Sequence, residues 1–466
     1  MAATRSRSCA VPRFSRALRP FGLALVLVLP AACSHPAQGS GAPLALPAKF
    51  TDHPSVALAD AETVHRHWWQ SFKSPELDAL EQKALAGNPD LEAAVARMEQ
   101  AQGGRAVAAA PLAPSVNLQA EAATRDSGPF GARPSIAAVA SYEVDFWGRN
   151  RARARAARSR AEAARFDRDT LAMTLTASVA SSYFNVRSLR ARLALARRIA
   201  ADARHTLRLV EAQRQVGTGS DLQVQLQRNL LAGFDQAAAS IERQIEQEQH
   251  TLAILVGLPP EGFHVAPEGS PEPATPTFGP DTPLQLLAQR PDIAAAEARL
   301  AAARLDVKSA RAAFLPSLSL TAVAGLLATP AASVAVLGGS LGQPLFTNGA
   351  LGGQLKIQKA RQAELLAAYR ATVLGALRDV EDALSEQAWL ERENEAADRA
   401  VATSSRAAFL ADAQYQLGAA DYLTVLTSKR SWYQAEDAKA QIHARRLQAV
   451  VMLCRALGGG FEKDAR

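Results

Sequence analysis

Gly217-Thr218-Gly219-Ser220-Asp221-Leu222-Gln223-Val224 and Gly418-Ala419-Ala420-Asp421-Tyr422-Leu423-Thr424-Val425 stand 201 residues apart, and their likeness decides the fold. With no gap, Ala237, Ala239, Ile241, Leu252 and Gly257 recur as Ala438, Ala440, Ile442, Leu453 and Gly458. Upstream, Asn88-Pro89-Asp90-Leu91 recurs as Arg290-Pro291-Asp292-Ile293, and Pro114-Ser115 as Pro316-Ser317, now 202 apart. Self-similarity of this kind means two copies of one structural unit. Residues 259–283, rich in proline that cannot continue a helix, join the copies.

Each copy reads outward from its Gly turn in both directions as helix. Residues 149–216 and 350–417 hold no proline and almost no glycine, enough for helices of about 100 Å at 1.5 Å per residue. The return segment carries Leu222, Leu226, Leu230, Phe234, Ala237, Ile241, Ile245, Leu252 and Leu255 at spacings of three, four and seven, which predicts one coiled-coil seam. Its counterpart carries Leu426, Tyr433, Ala440, Leu447 and Cys454, seven apart. Gly217 and Gly418 sit where the chain must reverse, with Ser220 and Asp421 placed to cap the helix that follows. Two long antiparallel helical hairpins result.

Before each long helix the period changes to two. Val116, Leu118 and Ala120 alternate with Ser115, Asn117 and Gln119, and Ile136, Ala138, Ala140, Tyr142 and Val144 form a second apolar set. Strands are predicted at about 114–124 and 135–146 in the first copy and 316–326 and 333–346 in the second, the last alternating poorly because it is rich in glycine. Such strands suit either a half-buried soluble sheet or a membrane barrel, apolar to lipid and polar to a lumen. Four strands cannot close, and open edges in hydrocarbon cost several kcal/mol per unpaired group, so a membrane sheet of this size must be shared between copies of the chain.

Composition bounds the choice. The chain has 466 residues, 48% hydrophobic and 21% charged, with a mean hydropathy of −0.07, which excludes disorder and a bundle of spanning helices. The net charge of +7 is mostly Arg5, Arg7, Arg13, Arg16 and Arg19, all ahead of the apolar run 21–29. A basic start, about nine apolar residues and then Leu29-Pro30-Ala31-Ala32-Cys33 read as an export signal over 1–32. It resembles a bacterial lipoprotein signal, which implies diacylglycerol and an N-acyl chain on Cys33, and Ser34 points by the same resemblance to the outer membrane. Cys9 leaves with the signal and Cys454 remains as a buried apolar residue, so no disulfide or cysteine metal site is available.

The chain resembles the TolC-like outer-membrane factors, in their NodT-like efflux lipoprotein branch. The residues that carry the resemblance include His67-Trp68-Trp69-Gln70-Ser71-Phe72, Asp145-Phe146-Trp147-Gly148-Arg149, Gln289-Arg290-Pro291-Asp292-Ile293, Phe314-Leu315-Pro316-Ser317 and Ala456-Leu457-Gly458-Gly459-Gly460. The resemblance spans roughly 66–461. It implies a mainly helical protein with a membrane β-barrel, a homotrimer whose twelve strands continue into a periplasmic α-helical tunnel. It also implies a periplasmic adaptor and an inner-membrane transporter as partners, and outer-membrane lipid around the strands. The division is then an extension at 33–65, repeats at 66–258 and 284–460, and a tail at 461–466. The implied activity is a passive efflux or secretion duct. A lipid-anchored structural coiled-coil protein of the envelope, without a pore, is the alternative.

The resemblance assigns adaptor docking to the hairpin tips: Gly217, Ser220, Leu222 and Val224 in one copy, Gly418, Asp421, Leu423 and Val425 in the other. Tyr415, Tyr422, Leu423 and Arg430 resemble a gate, while Thr427 stands where many relatives carry an acid, with Asp421 as the nearest substitute; Tyr415, Asp421 and Arg430 are expected to hold the tip closed. Other patterns resolve blandly. The arginines from Arg149 to Arg165 read as a solvated helix face with phospholipid headgroups as a second use, since export argues against nucleic acid. Trp68 and Trp69, beside His65 and His67, read as surface residues of the first helix, with no metal site. Gly338-Gly339-Ser340-Leu341-Gly342 matches a hydrolase elbow in letters but lacks its strand-to-helix setting, and no nucleophile, base and orienting group occur together.

Overall fold

The computed structural model describes residues 47, 49–51, 64–121, 135–265, 273–279, 283–328 and 331–461. The signal at 1–32, Cys33 and most of 33–65 lie outside the described residues. A 3-10 helix at Trp68–Phe72 leads into α1 (Pro75–Gly87) and α2 (Pro89–Ala109). Strands β1 (Ser115–Glu121) and β2 (Ser135–Val144) precede α3 (Arg149–Gln215) and α4 (Asp221–Leu255). The second copy follows as α5 (Pro283–Gln289), α6 (Pro291–Ala312), β3 (Ser317–Ala328), β4 (Ala331–Gly342), α7 (Ala350–Gln416) and α8 (Tyr422–Ala456).

The repeat explains the helix lengths. Helices α3 and α7 are 67 residues each, about 100 Å, and α4 and α8 are 35 each. A return helix of 35 residues covers only half of a 67-residue partner. Near the turn, Leu189 and Leu193 of α3 pack on Ile241 and Ile245 of α4; near the strands, Ala163 and Phe166 of α3 pack instead on Ala294, Ala295 and Ala298 of α6. Alanine at those contacts lets the backbones approach closely. Pro75, Pro89 and Pro291 each open a helix at a position where the missing N–H has no partner to lose.

The principal core lies at mid-length, where Tyr183 and Phe184 of α3, Val373 to Leu384 of α7, Leu252 of α4 and Leu447 to Ala456 of α8, with Leu457 just after it, meet α1 and the 3-10 helix. Trp68 and Trp69 belong to this core, 2% and 3% exposed, which corrects their reading as surface residues. The reason is tertiary: the 3-10 helix folds onto α3, with Phe72 4.8 Å ring-to-ring from Phe184. Cys454 is fully buried in the same core, and burial raises its thiol pKa well above the ordinary value. Part of the linker is held there too: Phe278 is buried and Ala274 N–H donates to the Phe72 carbonyl at 2.9 Å.

The seam predicted for α4 is interrupted. Ile241, Ile245 and Leu252 are buried as expected, but Leu222 and Ala237 are exposed, and Val224 and Gln227 point inward near the turn. There α4 packs sideways onto the second hairpin, so the buried stripe shifts. In α8, Leu426, Tyr433, Leu447 and Cys454 are all buried.

Candidate functional site

Two regions hold the residues expected to carry function: the four-stranded sheet and the paired turns. The sheet is antiparallel, in the order β1-β2-β3-β4. Directly opposed residues share a face, and the register puts Val116, Ala140, Ala322 and Leu337 in one row, Leu118, Ala138, Ala324 and Ala335 in the next, and Val144, Leu318 and Leu341 in a third. The alternations of four separate strands thus merge into a single apolar face. It is uncovered: Val116 is 69%, Leu118 73% and Leu337 82% exposed. The opposite face carries rows such as Ser115, Ser141, Thr321 and Gly338, with Ser115 and Ser141 hydroxyls 2.8 Å apart, although Val139, Val323 and Val336 interrupt it beside Asn117. Strands β1 and β4 are the margins, and their outer backbone groups pair with no strand among the described residues.

Pairing made β4 where alternation could not. Ser317–Ala328 offers a full twelve-residue template, and Ala331–Gly342 pairs along all of it, glycines included. The letters Gly338 to Gly342 therefore lie within a strand.

At the turns, Gly217 and Gly418 both take positive φ, +80° and +72°. Backbone bonds close each helix end: Thr218 and Gly219 N–H to the Gln213 carbonyl, and Ala419 N–H to the Gln414 carbonyl at 2.8 Å. Ser220 and Gln223 form a reciprocal cap, the Ser220 hydroxyl accepting from Gln223 N–H and the Gln223 carboxamide accepting from Ser220 N–H at 2.9 Å. Asp421 caps α8, accepting from Thr424 N–H at 2.8 Å and from the Thr424 hydroxyl at 2.6 Å. The Thr424 hydroxyl bond, then its N–H, holds the Asp421 carboxyl below the usual range. A cap of this kind accounts for both residues structurally.

The two turns are tied to each other. Tyr422 donates to the Gln227 side-chain oxygen at 2.7 Å, and Gln227, 1% exposed, donates onward to the Ala203 carbonyl at 2.8 Å. Gln223 also donates to the Tyr415 hydroxyl at 3.4 Å, and the rings of Tyr415 and Tyr422 lie 5.4 Å apart. Burial, then Tyr415 and Asp412, push the Tyr422 hydroxyl pKa up, so it stays a donor. Tyr433, packed at 5.5 Å on Phe234, is pushed up to about 12, chiefly by burial.

Of the residues expected to gate, Tyr415 joins this cluster, Asp421 does not reach it, Arg430 is exposed with no ion pair among the described residues, and Thr427 bonds back to the Leu423 and Thr424 carbonyls. Of those expected to dock, Val224 and Val425 are buried, whereas Gly217, Ser220, Leu222, Gly418, Asp421 and Leu423 are exposed. Sequence reading missed one pair and one single residue. Val216 and Leu417, exposed beside the glycines, are related by the same 201-residue offset, which was the signal available. Gln227, a polar residue inside an apolar stripe, left no comparable mark.

Among the described residues no group of His, Cys, Asp and Glu could hold a metal ion, and no helix is long and apolar enough to cross a membrane. Comparison with known proteins gives a consistent result. The family profile described as outer membrane efflux protein matches residues 80–258 and 282–459. The pyoverdine export outer membrane protein OpmQ of Pseudomonas aeruginosa is 38% identical over 429 residues, 88% of this chain and 90% of that one. Outer membrane protein OprJ of the same organism is 32% identical, over 85% of this chain and 86% of its own. The solved outer-membrane channel OprN superposes with a TM-score of 0.82 at 28% identity, covering 91% of this chain and 99% of its own.

Proposed function

We propose, from the premise that the chain belongs to the outer membrane efflux protein family, that it is the outer-membrane duct of a tripartite efflux system. The observation that carries this reading is the uncovered apolar face built by register across β1 to β4, bounded by two margins that pair with no strand among the described residues. In hydrocarbon those margins must be paired, so β4 of one copy joins β1 of the next, and three copies close twelve strands into a barrel around the polar face. Helices α3, α4, α7 and α8 then continue the bore as a tunnel, with the turns at its far end.

The pore-free coiled-coil alternative is set aside, because relatives over most of the chain are outer-membrane efflux components. The duct has no energy source of its own; a periplasmic adaptor opens it and an inner-membrane transporter drives it. Val216, Leu222, Leu417 and Leu423 offer the adaptor an apolar tip, and the Gln223–Tyr415 and Gln227–Tyr422 bonds hold the tips together until it binds. Diacylglycerol and an N-acyl chain on Cys33 anchor each copy, a modification read from the mass of the N-terminal peptide and lost in Cys33→Ser.

Purified protein in planar bilayers tests the duct. Discrete ion conductance from a heat-modifiable trimer is expected, and a water-soluble monomer that never conducts overturns it. Tyr422→Phe should raise the closed-state conductance; the double variant Asp421→Ala, Arg430→Ala tests the gate that the resemblance implies for that pair, and unchanged conductance removes it.

A further inference from the structure

The two ends of the long helices differ sharply in charge. Residues 100–114, 142–161, 305–318 and 343–361, where helices meet strands, hold twelve Lys and Arg against three Asp and Glu. The stretches 202–235 and 403–436, around the turns, hold seven against seven. The three acids at the strand end are already taken. Glu143 accepts from Arg149 at 2.8 Å, Asp145 pairs with Arg151 at 3.2 Å, and Asp306 pairs with Arg160. Arg153 and Arg155 on α3, Lys308 and Arg311 on α6, and Lys356 and Lys359 on α7 are left exposed, with no ion pair among the described residues.

Immediately strandward lie large apolar side chains facing outward: Phe146 and Trp147 after β2, Leu345 and Phe346 after β4. The Trp147 indole N–H is held by the Pro316 carbonyl at 2.7 Å, so its ring is fixed at this level. Aromatic side chains ending an apolar band, with unpaired cations one or two turns beyond, form the layering that a membrane surface selects: rings at the headgroup boundary, Lys and Arg among the phosphates. A solvated helix face needs no such asymmetry, and the balanced turn end of the same helices shows that helix formation does not require it. Like charges repel one another over the roughly 8 Å that physiological salt leaves unscreened, and an anionic layer beside them relieves that repulsion.

We propose that this collar, Arg153, Arg155, Lys308, Arg311, Lys356 and Lys359, binds anionic phospholipid headgroups of the leaflet that faces the helices, seating the barrel at a fixed depth. The proposal rests on the membrane-barrel reading above. A collar facing the bore would instead favour anions in transit, and the two arrangements give different measurements.

The full-length trimer, reconstituted in phosphatidylcholine vesicles with and without phosphatidylglycerol, is the test, with Arg153→Gln/Arg155→Gln/Lys356→Gln/Lys359→Gln beside it. Bound lipid is quantified by mass spectrometry after extraction, and conductance and ion selectivity are recorded on the same samples. Phosphatidylglycerol should be enriched around the wild-type protein, by up to about fivefold for each cation engaged. The enrichment should fall steeply in the glutamine variant and in high salt, return in Arg153→Lys/Arg155→Lys, and leave single-channel conductance unchanged. Equal lipid composition around a conducting wild-type channel overturns the proposal, as does a variant that changes cation-to-anion selectivity and leaves the bound lipid alone. Absence of insertion and conductance in both kinds of vesicle marks failure of the barrel itself, and the collar falls with it.

Discussion

Where each return helix ends, the two halves of the chain solve one backbone problem with different side chains. Gly257 closes α4 and Gly458 closes α8, with φ of +76° and +98°. A Cβ on Gly257 would lie 2.0 Å from the Gly87 carbonyl oxygen, and one on Gly458 1.9 Å from that of Gln289. The last helical carbonyls need donors, and here the halves part. Asn88 donates its Nδ2 to the Leu255 carbonyl at 3.0 Å while its Oδ1 caps α2; Arg290 donates to the Ala456 carbonyl at 3.0 Å. Leu255 and Ala456 are 201 residues apart, the same position in each copy. A neutral amide can be buried with its bonds made and nothing more. A guanidinium cannot, and Arg290 is accompanied by Asp292 and Asp379, its nearly complete burial offset by two carboxylates. Close backbone approach is the part of the repeat that has not diverged; the polar chemistry around it has.

If that is right, the glycines should be the least replaceable. Gly257→Ala and Gly458→Ala each force a methyl into a carbonyl at a positive φ, and each should abolish folding, a loss above about 4 kcal/mol. Recovery of heat-modifiable trimer measures it. Tolerance of one and not the other would break the equivalence of the two junctions.

The donors should then separate. Arg290→Met removes the donor to the Ala456 carbonyl and leaves Asp379 with Arg378 alone, and should cost about 3 kcal/mol, whereas Asn88→Ala removes a cap and one bond and should cost about 1–2 kcal/mol. Thermal denaturation of the two variants side by side decides it, and equal losses would mean that the charge in the second half is incidental.

A third difference concerns pH. Glu81 of α1 is fully buried with neither side-chain oxygen hydrogen-bonded, and its repeat counterpart is Pro283. Burial, and then the neighbouring Asp78 charge, raise its pKa well above the ordinary range, so the folded chain keeps a proton that the unfolded chain releases near pH 4 to 5. Stability from this group is therefore complete below that range and declines as pH rises, by at most about 1.4 kcal/mol per pH unit, until the folded-state pKa is passed. Glu81→Gln should flatten the curve. A wild-type profile that rises between pH 5 and 8 and is unaltered by the substitution would assign the buried carboxyl no such role.

How much of this could be read from letters alone depends on whether the information was local. The 201-residue offset gave the two hairpins and the positions of Gly217, Gly418, Gly257 and Gly458, because backbone turns are written in glycine. Alternation gave β1, β2 and β3, because a strand's own side chains record its faces. It gave β4 only weakly, at 333–346 against the observed Ala331–Gly342, because Gly338 and Gly339 record no face and pairing with β3 sets the bounds. Trp68 and Trp69 were misread because their neighbours are polar while the residues that bury them lie more than a hundred positions away. The same distance hid the Gln227–Tyr422 bond. The sequence separated the buried from the exposed residues of the turns poorly, since Val224 and Leu222 look alike in a heptad and only the approach of the second hairpin turns one inward.

The smallest effect is the most informative about the turns, where the halves again differ. Gln223 serves two partners: its oxygen completes the Ser220 cap, and its amide nitrogen reaches Tyr415 across the hairpins. Asp421 serves only its own helix through Thr424. Tyr415→Phe keeps both halves of the Ser220–Gln223 cap and removes only the hydroxyl that Gln223 reaches across the hairpins. Hydrogen exchange in the first turn of α4 should stay the same, while closed-state conductance rises slightly. Thr424→Val should do the reverse: amides of the first turn of α8 exchange about fivefold faster, conductance stays unchanged, and the Asp421 carboxyl returns toward its ordinary pKa. Because that pKa is lowered in the folded state, the cap is fully present above the unfolded value and is lost as pH falls through the lowered one, so the difference between Thr424→Val and the parent should narrow in acid. A conductance change from Thr424→Val equal to that from Tyr415→Phe would show that the caps, and not the bonds between hairpins, restrain the tip.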